Sequence, residues 1–308
     1  MRVAIIDMGT NTFNLLVAES MGDNRFQTLH SSKCFVKLGE GGIDKKIITP
    51  EAWERGLNAI ESHLASLPKF NVDNIFAFAT SAIRDAGNGA KFVDEIFSKH
   101  KLKVNVIRGE QEANLIYLGV RQALDLGNET NLILDIGGGS NELILCNSKQ
   151  IHWVHSFNLG VQRLFNQFMP SDPISSIEVE KIEQFLAVEL KLLFIASENN
   201  PPIKLIGSSG SFDTYRSLLD HQKTIPHTKD CFAEIPIDGY KQLHRNLLQS
   251  TRKQRLAMPG MELIRVDYIV LASIFTNFIV ERLDIKSIFQ SNYALKEGAL
   301  WEFLNNFS

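Results

Sequence analysis

Two stretches of the sequence decide the fold: VAIIDMGTNTFNLLVA at residues 3–18 and NLILDIGGGSNELILC at residues 131–146. They align without gaps, and the alignment places Asp7 on Asp135, Gly9 on Gly137, Thr12 on Ser140 and Leu15 on Leu143. Each stretch is an apolar strand, an Asp, a tight loop of small polar residues and a second apolar strand. This pattern predicts a β-hairpin. Because the hairpin occurs twice, the sequence predicts two lobes with related cores.

Strands and helices alternate along the rest of the chain, which predicts an α/β fold with mixed sheets flanked by helices. A helix begins at Thr49-Pro50-Glu51, where a capping Thr precedes a Pro in the first helical position. Another helix is expected from about 110 to 126, and another over about 262–284. The polar stretch after Leu126 predicts the lobe boundary, so we expect lobes at 1–126 and 127–291. A final helix at about 292–308 is expected to pack back on the first lobe.

Composition excludes several classes of function. The chain has 308 residues and a formal net charge of −3, so no basic excess would attract nucleic acid or an anionic membrane. Its longest apolar stretch, residues 266–280, contains Asp267 and is too short to cross a membrane, which favours a buried helix. Asp7 interrupts the apolar N-terminus, which does not suit a signal peptide, so we expect a cytoplasmic protein.

Three loops rich in glycine and hydroxyl residues are candidates for binding phosphate. Glycines let the backbone approach a ligand closely, and consecutive amides form a concave site for an anion. The third loop also opens a helix, whose N-terminus favours an anion. A single loop of this kind is more often only a turn, but the aligned pair argues for a shared function. The predicted phosphate-binding residues in the loops are Thr10, Asn11, Thr12, Gly137, Gly138, Gly139, Ser140, Gly207, Ser208, Gly210 and Ser211.

Carboxylates lie next to the first two loops. Asp7 and Asp135 each end an apolar strand, and Glu142 follows the second loop. A buried Asp is costly unless it is hydrogen-bonded or bound to a cation. Carboxylate oxygens beside phosphate suit Mg²⁺, so these three residues are the predicted metal ligands. For either Asp alone, capping of its own loop is an equally good explanation.

The stretch Arg108-Gly109-Glu110-Gln111-Glu112 leaves a strand and opens a helix. Acids in a first helical turn ordinarily interact with the helix dipole. The functional alternative is that one of them is a general base for a water attacking phosphorus, and local sequence does not choose between Glu110 and Glu112. Arg84 follows a strand and could hold a phosphate bidentately or pair with Asp85.

The ordered set of motifs resembles the exopolyphosphatase and guanosine-pentaphosphate phosphohydrolase family, within the sugar kinase, Hsp70 and actin superfamily. The segments that carry the resemblance run from residue 4 to about 300 and are AIIDMGTNTFNLLVA, KLGEGGIDKKIITPEAWERGLNAI, TSAIRDA, RGEQEANLIYLGV, LILDIGGGSNELIL, LIGSSGSF and SNYALKEGAL. The resemblance implies two actin-like lobes with the active site in the cleft between them. It also implies a hydrolase that removes a terminal phosphate with the help of Mg²⁺.

The resemblance selects Glu112 as the catalytic base, because the second acid of the family's Gly-x-Glu-Glu-Ala-Arg pattern maps onto it. Arg84 matches a family arginine near the phosphates, while Asp135 and Glu142 match acids associated with Mg²⁺ and catalysis. The chain departs from the pattern at Gln111 and Asn114, which implies a changed substrate affinity or preference. We expect the extra helical domains of long members to be absent, and therefore expect weaker binding of long chains.

The sequence leaves the substrate open between inorganic polyphosphate and guanosine pentaphosphate, because no residue is identified that would read a guanine base. An ATP-using member of the superfamily would share the phosphate hairpins. A weakly catalytic regulator that binds polyphosphate or a nucleotide is the alternative from another class. A homodimer is expected by family analogy only.

Overall fold

The computed structural model describes residues 1–22, 25–225 and 230–306. The chain forms two compact units. The first unit comprises Met1–Gln122, Gly137–Ser140 and Ala294–Ser308, and the second comprises Ala123–Ile136 and Asn141–Tyr293. The predicted lobe limits at 126 and 291 remain predictions.

The strands are, in chain order, β1 (Arg2–Met8), β2 (Thr12–Gly22), β3 (Arg25–Phe35), β4 (Asn74–Ala79), β5 (Val104–Val106), β6 (Asn131–Ile136), β7 (Asn141–Cys146), β8 (Ile151–Phe157), β9 (Lys204–Ser208), β10 (Phe232–Ile235) and β11 (Ser287–Ser291). The helices are α1 (Pro50–Ser66), α2 (Ser81–Arg84), α3 (Gly89–His100), α4 (Gly109–Ala123), α5 (Val161–Phe168), α6 (Ser176–Glu189), α7 (Lys191–Asn199), α8 (Gly210–His221), α9 (Ile237–Gln249), α10 (Arg252–Leu256), α11 (Ile269–Arg282) and α12 (Leu295–Asn306).

The two sheets repeat one topology. In the first unit the order is β3-β2-β1-β4-β5, with β1, β2 and β3 antiparallel and β4 and β5 parallel to β1. In the second unit β8-β7-β6-β9-β11 has the same order and the same directions, and β10 adds an antiparallel edge strand. The repeated hairpin of the sequence is therefore part of a repeated sheet. The predicted α/β class with two mixed sheets is confirmed.

Each sheet packs against helices that present an apolar face. In the first unit α1 starts where predicted, since the Thr49 side chain accepts a hydrogen bond from the Ala52 amide and Pro50 follows the cap. Leu57 and Ile60 of α1 are buried in one core with the side chains of β1 and β2. In the second unit α11 is buried along most of its length, in agreement with its mostly apolar sequence.

Two glycines allow α4 and α12 of the first unit to cross with their backbones in contact. A methyl group on Gly119 would overlap the Ala294 carbonyl, and one on Gly298 would overlap the Leu115 carbonyl. Side chains larger than hydrogen therefore have no space at this crossing. Because α4 carries Glu112 in its first turn, the crossing also fixes the helix that holds this carboxylate.

Substitution of the crossing glycine should be costly. We expect Gly298→Ala to lower the free energy of unfolding by about 1–3 kcal/mol, because the methyl group forces two backbones apart. Gly87→Ala is the matched control, since the added methyl would meet its nearest atom at an ordinary 3.7 Å. Urea unfolding of both variants tests this expectation. Equal stability of the two variants would contradict the expectation, because it would show that the two helices move apart at no cost to accept the methyl group.

The structure corrects some boundaries predicted from the sequence. The helix expected from about 262 begins at Ile269, because residues 263–268 form turns and the Arg265 guanidinium packs against Gly210. After Ser175 the chain forms α6 and then α7, with a break at Leu190. Among the described residues, no helix is both long enough and apolar enough to cross a membrane.

Candidate active site

The loops of the two matching hairpins close in the same way. The Gly9 amide donates to the Thr12 carbonyl at 3.0 Å, and the Gly137 amide donates to the Ser140 carbonyl at 3.0 Å. A Cβ on Gly9 would lie 3.1 Å from the Thr12 carbonyl oxygen, and a Cβ on Gly137 would lie 2.6 Å from the Ser140 carbonyl oxygen. The tight closure therefore explains the glycine at the same position of both loops.

The loop Gly137–Ser140 lies in the first unit, against the loop after β1. A Cβ on Gly138 would be 2.7 Å from Asn11 Nδ2, and one on Gly139 would be 2.5 Å from Ser81 Oγ. The hydroxyls of Thr10 and Ser81 are hydrogen-bonded at 3.0 Å. The structure thus brings the first two predicted phosphate loops together, and it adds Ser81, which the sequence analysis did not identify.

Asn11 has an unusual environment. The residue is 5% exposed, yet neither the nitrogen nor the oxygen of its side-chain amide has a hydrogen-bond partner in the described part of the chain. A buried polar group without a partner costs about 1–3 kcal/mol, so such groups are rare without a functional reason. The side-chain amide nitrogen, which lies next to Gly138, is therefore a donor that the described residues leave unused.

The backbone around this loop is fixed by its neighbours. The amides of Val36 and Lys37 both donate to the Asn11 carbonyl at 2.9 Å. His63 Nε2 bonds the Phe13 carbonyl at 3.0 Å, and burial lowers the pKa of His63, so the imidazole is neutral at pH 7. These contacts hold the loop and the start of β2 in place, which preorganises a binding site.

Arg84 and Glu112 form an ion pair near the surface of the first unit. Arg84 Nη1 lies 3.0 Å from Glu112 Oε2 and 3.2 Å from the Ile107 carbonyl, and Arg84 Nε lies 3.3 Å from Asp85. Within the described residues, Arg84 Nη2 has no hydrogen-bond partner, so it can donate to an anion. Glu112 is 8% exposed, and Arg84 fixes the orientation of its carboxylate.

The two acids that local sequence could not separate differ in their surroundings. Glu110 is exposed and lines a surface hollow of about 390 Å³, whereas Glu112 is buried and paired with Arg84. Because they lie two residues apart on α4, they face different sides of the helix. Burial and the Arg84 contact distinguish Glu112 from Glu110. The catalytic role of Glu112, which only the family resemblance indicates, remains a prediction.

The two departures from the family pattern also line this hollow. Gln111 Oε1 accepts the Arg108 amide at 3.0 Å, which caps the start of α4. Asn114 is exposed one turn further along. Both side chains therefore lie beside Glu110 at the hollow, and Gln111 keeps the capping function that an acid would have.

The Asp of each hairpin lies opposite a different partner. In the first unit Asp7 pairs in register with Asn14, whose amide nitrogen donates to it at 3.0 Å. In the second unit Asp135 pairs with Glu142, so two carboxylates with 8% and 1% exposure lie directly across from each other. Ser208 donates to Asp135 at 2.8 Å, and Ser156 donates to Glu142 at 2.7 Å.

This second pair has the chemistry of a cation site. Like charges directly opposite on two strands repel, and burial strengthens the repulsion. Mg²⁺ commonly uses only one or two carboxylates together with water and substrate oxygens, so Asp135 and Glu142 fit it. In the part of the chain that the structure describes, no three His, Cys, Asp or Glu side chains form a group that could hold a metal by themselves.

Packing accounts for the glycines of the third loop in the second unit. A side chain on Gly207 would overlap the Phe212 ring, and one on Gly210 would overlap the Arg265 guanidinium. Ser208 is committed to Asp135. Phosphate binding by Gly207, Ser208, Gly210 and Ser211 remains a prediction, with an independent structural reason for both glycines.

Comparison with known proteins defines the class. The chain matches the model of the Ppx/GppA phosphatase family over residues 16–307. It therefore belongs to this family, and it is a phosphohydrolase, as predicted from its motifs.

Individual relatives agree with this assignment. The chain is 26% identical to Exopolyphosphatase 1 of Mycobacterium leprae over 99% of this chain and 90% of that protein. It is 30% identical to a bifunctional 3-dehydroquinate synthase/phosphatase of Fusobacterium nucleatum, where it spans 98% of this chain and only 46% of that protein. The crystal structure of an exopolyphosphatase from Cytophaga hutchinsonii superposes with a TM-score of 0.95 at 35% identity, covering 99% of this chain and 98% of that chain. The actin-like fold is thereby confirmed.

Proposed function

We propose that this chain is an exopolyphosphatase, which releases the terminal orthophosphate of inorganic polyphosphate in the cytoplasm. The observation that carries the proposal is the Arg84–Glu112 pair on the same unit as the unpartnered Asn11 and the two glycine loops. An anion site with a preoriented carboxylate suits water attack on phosphorus. The names of the relatives from M. leprae and C. hutchinsonii support polyphosphate as the substrate.

In the proposed mechanism the loop amides, Asn11 Nδ2 and Arg84 Nη2 hold the oxygens of the terminal phosphoryl group. Glu112 orients a water and accepts its proton as the water oxygen bonds to phosphorus. The bond to the bridging oxygen breaks, and the shortened chain leaves with that oxygen. Phosphoryl transfer depends mostly on such positioning and charge stabilisation.

Asp135 and Glu142 are the proposed carriers of Mg²⁺, and each lies two residues from the loop Gly137–Ser140 along the chain. When bound, Mg²⁺ would offset negative charge on the phosphate oxygens. Asp7 is the third predicted ligand, but the Asn14 amide already stabilises its carboxylate. We therefore assign it the weaker role in cation binding.

Phosphate release tests the choice of substrate. The purified protein is assayed with long-chain polyphosphate, guanosine pentaphosphate and ATP, each with Mg²⁺ and with EDTA. We expect the highest kcat/KM for polyphosphate and loss of turnover in EDTA. A preference for guanosine pentaphosphate or ATP would reassign the substrate, and tight binding without turnover would indicate a regulator.

A further inference from the structure

Lys37 is held in a conformation that side chains rarely adopt. Its φ is 48°, in the left-handed region, and it is not a glycine. The backbone is fixed on both sides, because its amide donates to the Asn11 carbonyl at 2.9 Å and its carbonyl accepts Arg55 Nη2 at 3.0 Å. Such strain costs about 1–3 kcal/mol and is concentrated at functional sites.

Contacts within the first unit place Lys37 at one end of a row of candidate site residues. Glu112 bonds Arg84, and Arg84 ends the short helix α2, which begins at Ser81. Ser81 bonds Thr10, and the next residue, Asn11, accepts the Lys37 amide. Glu112 and Lys37 are therefore the two ends of this series of contacts, and the phosphate-loop residues Thr10 and Asn11 connect them.

The Lys37 ammonium is not committed to a strong ion pair. Among the described residues it pairs with Glu40, with 3.8 Å between Nζ and Oε1, and the side chain is 42% exposed. Glu40 is bonded more closely by Arg55, with 2.9 Å between Nη2 and Oε2. Since the acid already has this partner, the ammonium can turn to an anion at the loop at little cost.

We propose that Lys37 binds an inner phosphate of the polyphosphate chain, while Arg84 and Glu112 act on the terminal one. This inference rests on the proposed function and adds the direction in which the substrate lies. A lysine suits the task, because a compact charge on a flexible stem can follow a chain that moves forward by one phosphate after each hydrolysis. The affinity for polyphosphate should then be higher for long chains, which reach Lys37, than for short ones.

Kinetics of Lys37→Met test the inference. We expect KM for long-chain polyphosphate to rise about 5- to 10-fold, the size of one lost hydrogen bond of ordinary net strength, with kcat within about twofold. KM for tripolyphosphate should rise less, and KM of the variant should depend less on salt. Lys45→Met is the matched control, because Lys45 is an exposed lysine of the same segment with no left-handed φ, and it should behave as the wild type.

Further outcomes separate binding from structure. Lys37→Arg keeps the charge and should restore most of the affinity, whereas a purely structural role would leave both Lys37 variants equally affected. Equal KM values for Lys37→Met and Lys45→Met, or a fall in kcat at unchanged KM, would overturn the inference. Wild-type protein that does not hydrolyse polyphosphate would instead overturn the proposed function itself.

Discussion

Glu112→Gln should lower kcat for phosphate release by about 10²–10⁴-fold, the usual contribution of a general base. The amide has the shape of the carboxylate and can still accept a hydrogen bond from Arg84, but it cannot take a proton from water. Because Glu112 acts on the attacking water rather than on the substrate, KM should stay within about threefold of the wild type. Initial rates of orthophosphate release over a range of polyphosphate concentrations measure both constants.

Glu110→Gln is the matched control for this experiment. It makes the same chemical change two residues earlier on the same helix, at an exposed position. We expect wild-type rates, because Glu110 lines the surface hollow and not the Arg84 contact. If Glu110→Gln lost activity and Glu112→Gln did not, the two acids would exchange roles and the proposed geometry would be wrong.

Glu142→Gln should have the second large effect, a loss of kcat of about 100-fold or more in Mg²⁺, since metal stabilisation of the transition state is worth several kcal/mol. The same substitution should lower activity but raise stability in the absence of metal. In EDTA the variant should melt about 2–4 °C above the wild type, because one of two repelling buried carboxylates has been removed, a change of about 1 kcal/mol. Added Mg²⁺ should raise the Tm of the wild type but not that of the variant.

The converse change in the first hairpin serves as its control. Asn14→Asp creates a carboxylate pair with Asp7 at the equivalent position, where the wild type has a hydrogen bond. We expect a lower Tm in EDTA and a new stabilisation by Mg²⁺. A Glu142→Gln variant that keeps the full Tm response to Mg²⁺ would show that the cation binds elsewhere.

The repeat in the sequence carried most of the information about the fold. Matching hairpins at 3–18 and 131–146 predicted related cores, and the two sheets share their strand order. The strand β3 was missed because RFQTLHSSKCF is an edge strand with little apolar alternation, so no face of it marks a core. The left-handed backbone of Lys37, two residues after this strand, could not be predicted either, because a lysine gives no indication of a positive φ.

Only part of the candidate site could be predicted from the sequence. The local sequence could not distinguish Glu110 from Glu112, because the burial of Glu112 and its contact with Arg84 depend on how α4 packs. A signal that could have been used is that Asn14 aligns with Glu142, which already indicates that only the second hairpin has a carboxylate pair. The packing functions of Gly207 and Gly210 required the positions of Phe212 and Arg265, which are set by tertiary structure.

Phosphorus NMR of the first products formed from long-chain polyphosphate tests the central claim most directly. In Mg²⁺ the wild type should release orthophosphate alone, with the remaining chains shortened one unit at a time, and Glu112→Gln should release almost none in the same period. Short oligophosphates among the first products, or orthophosphate release by Glu112→Gln at the wild-type rate, would contradict terminal cleavage by a water that Glu112 activates.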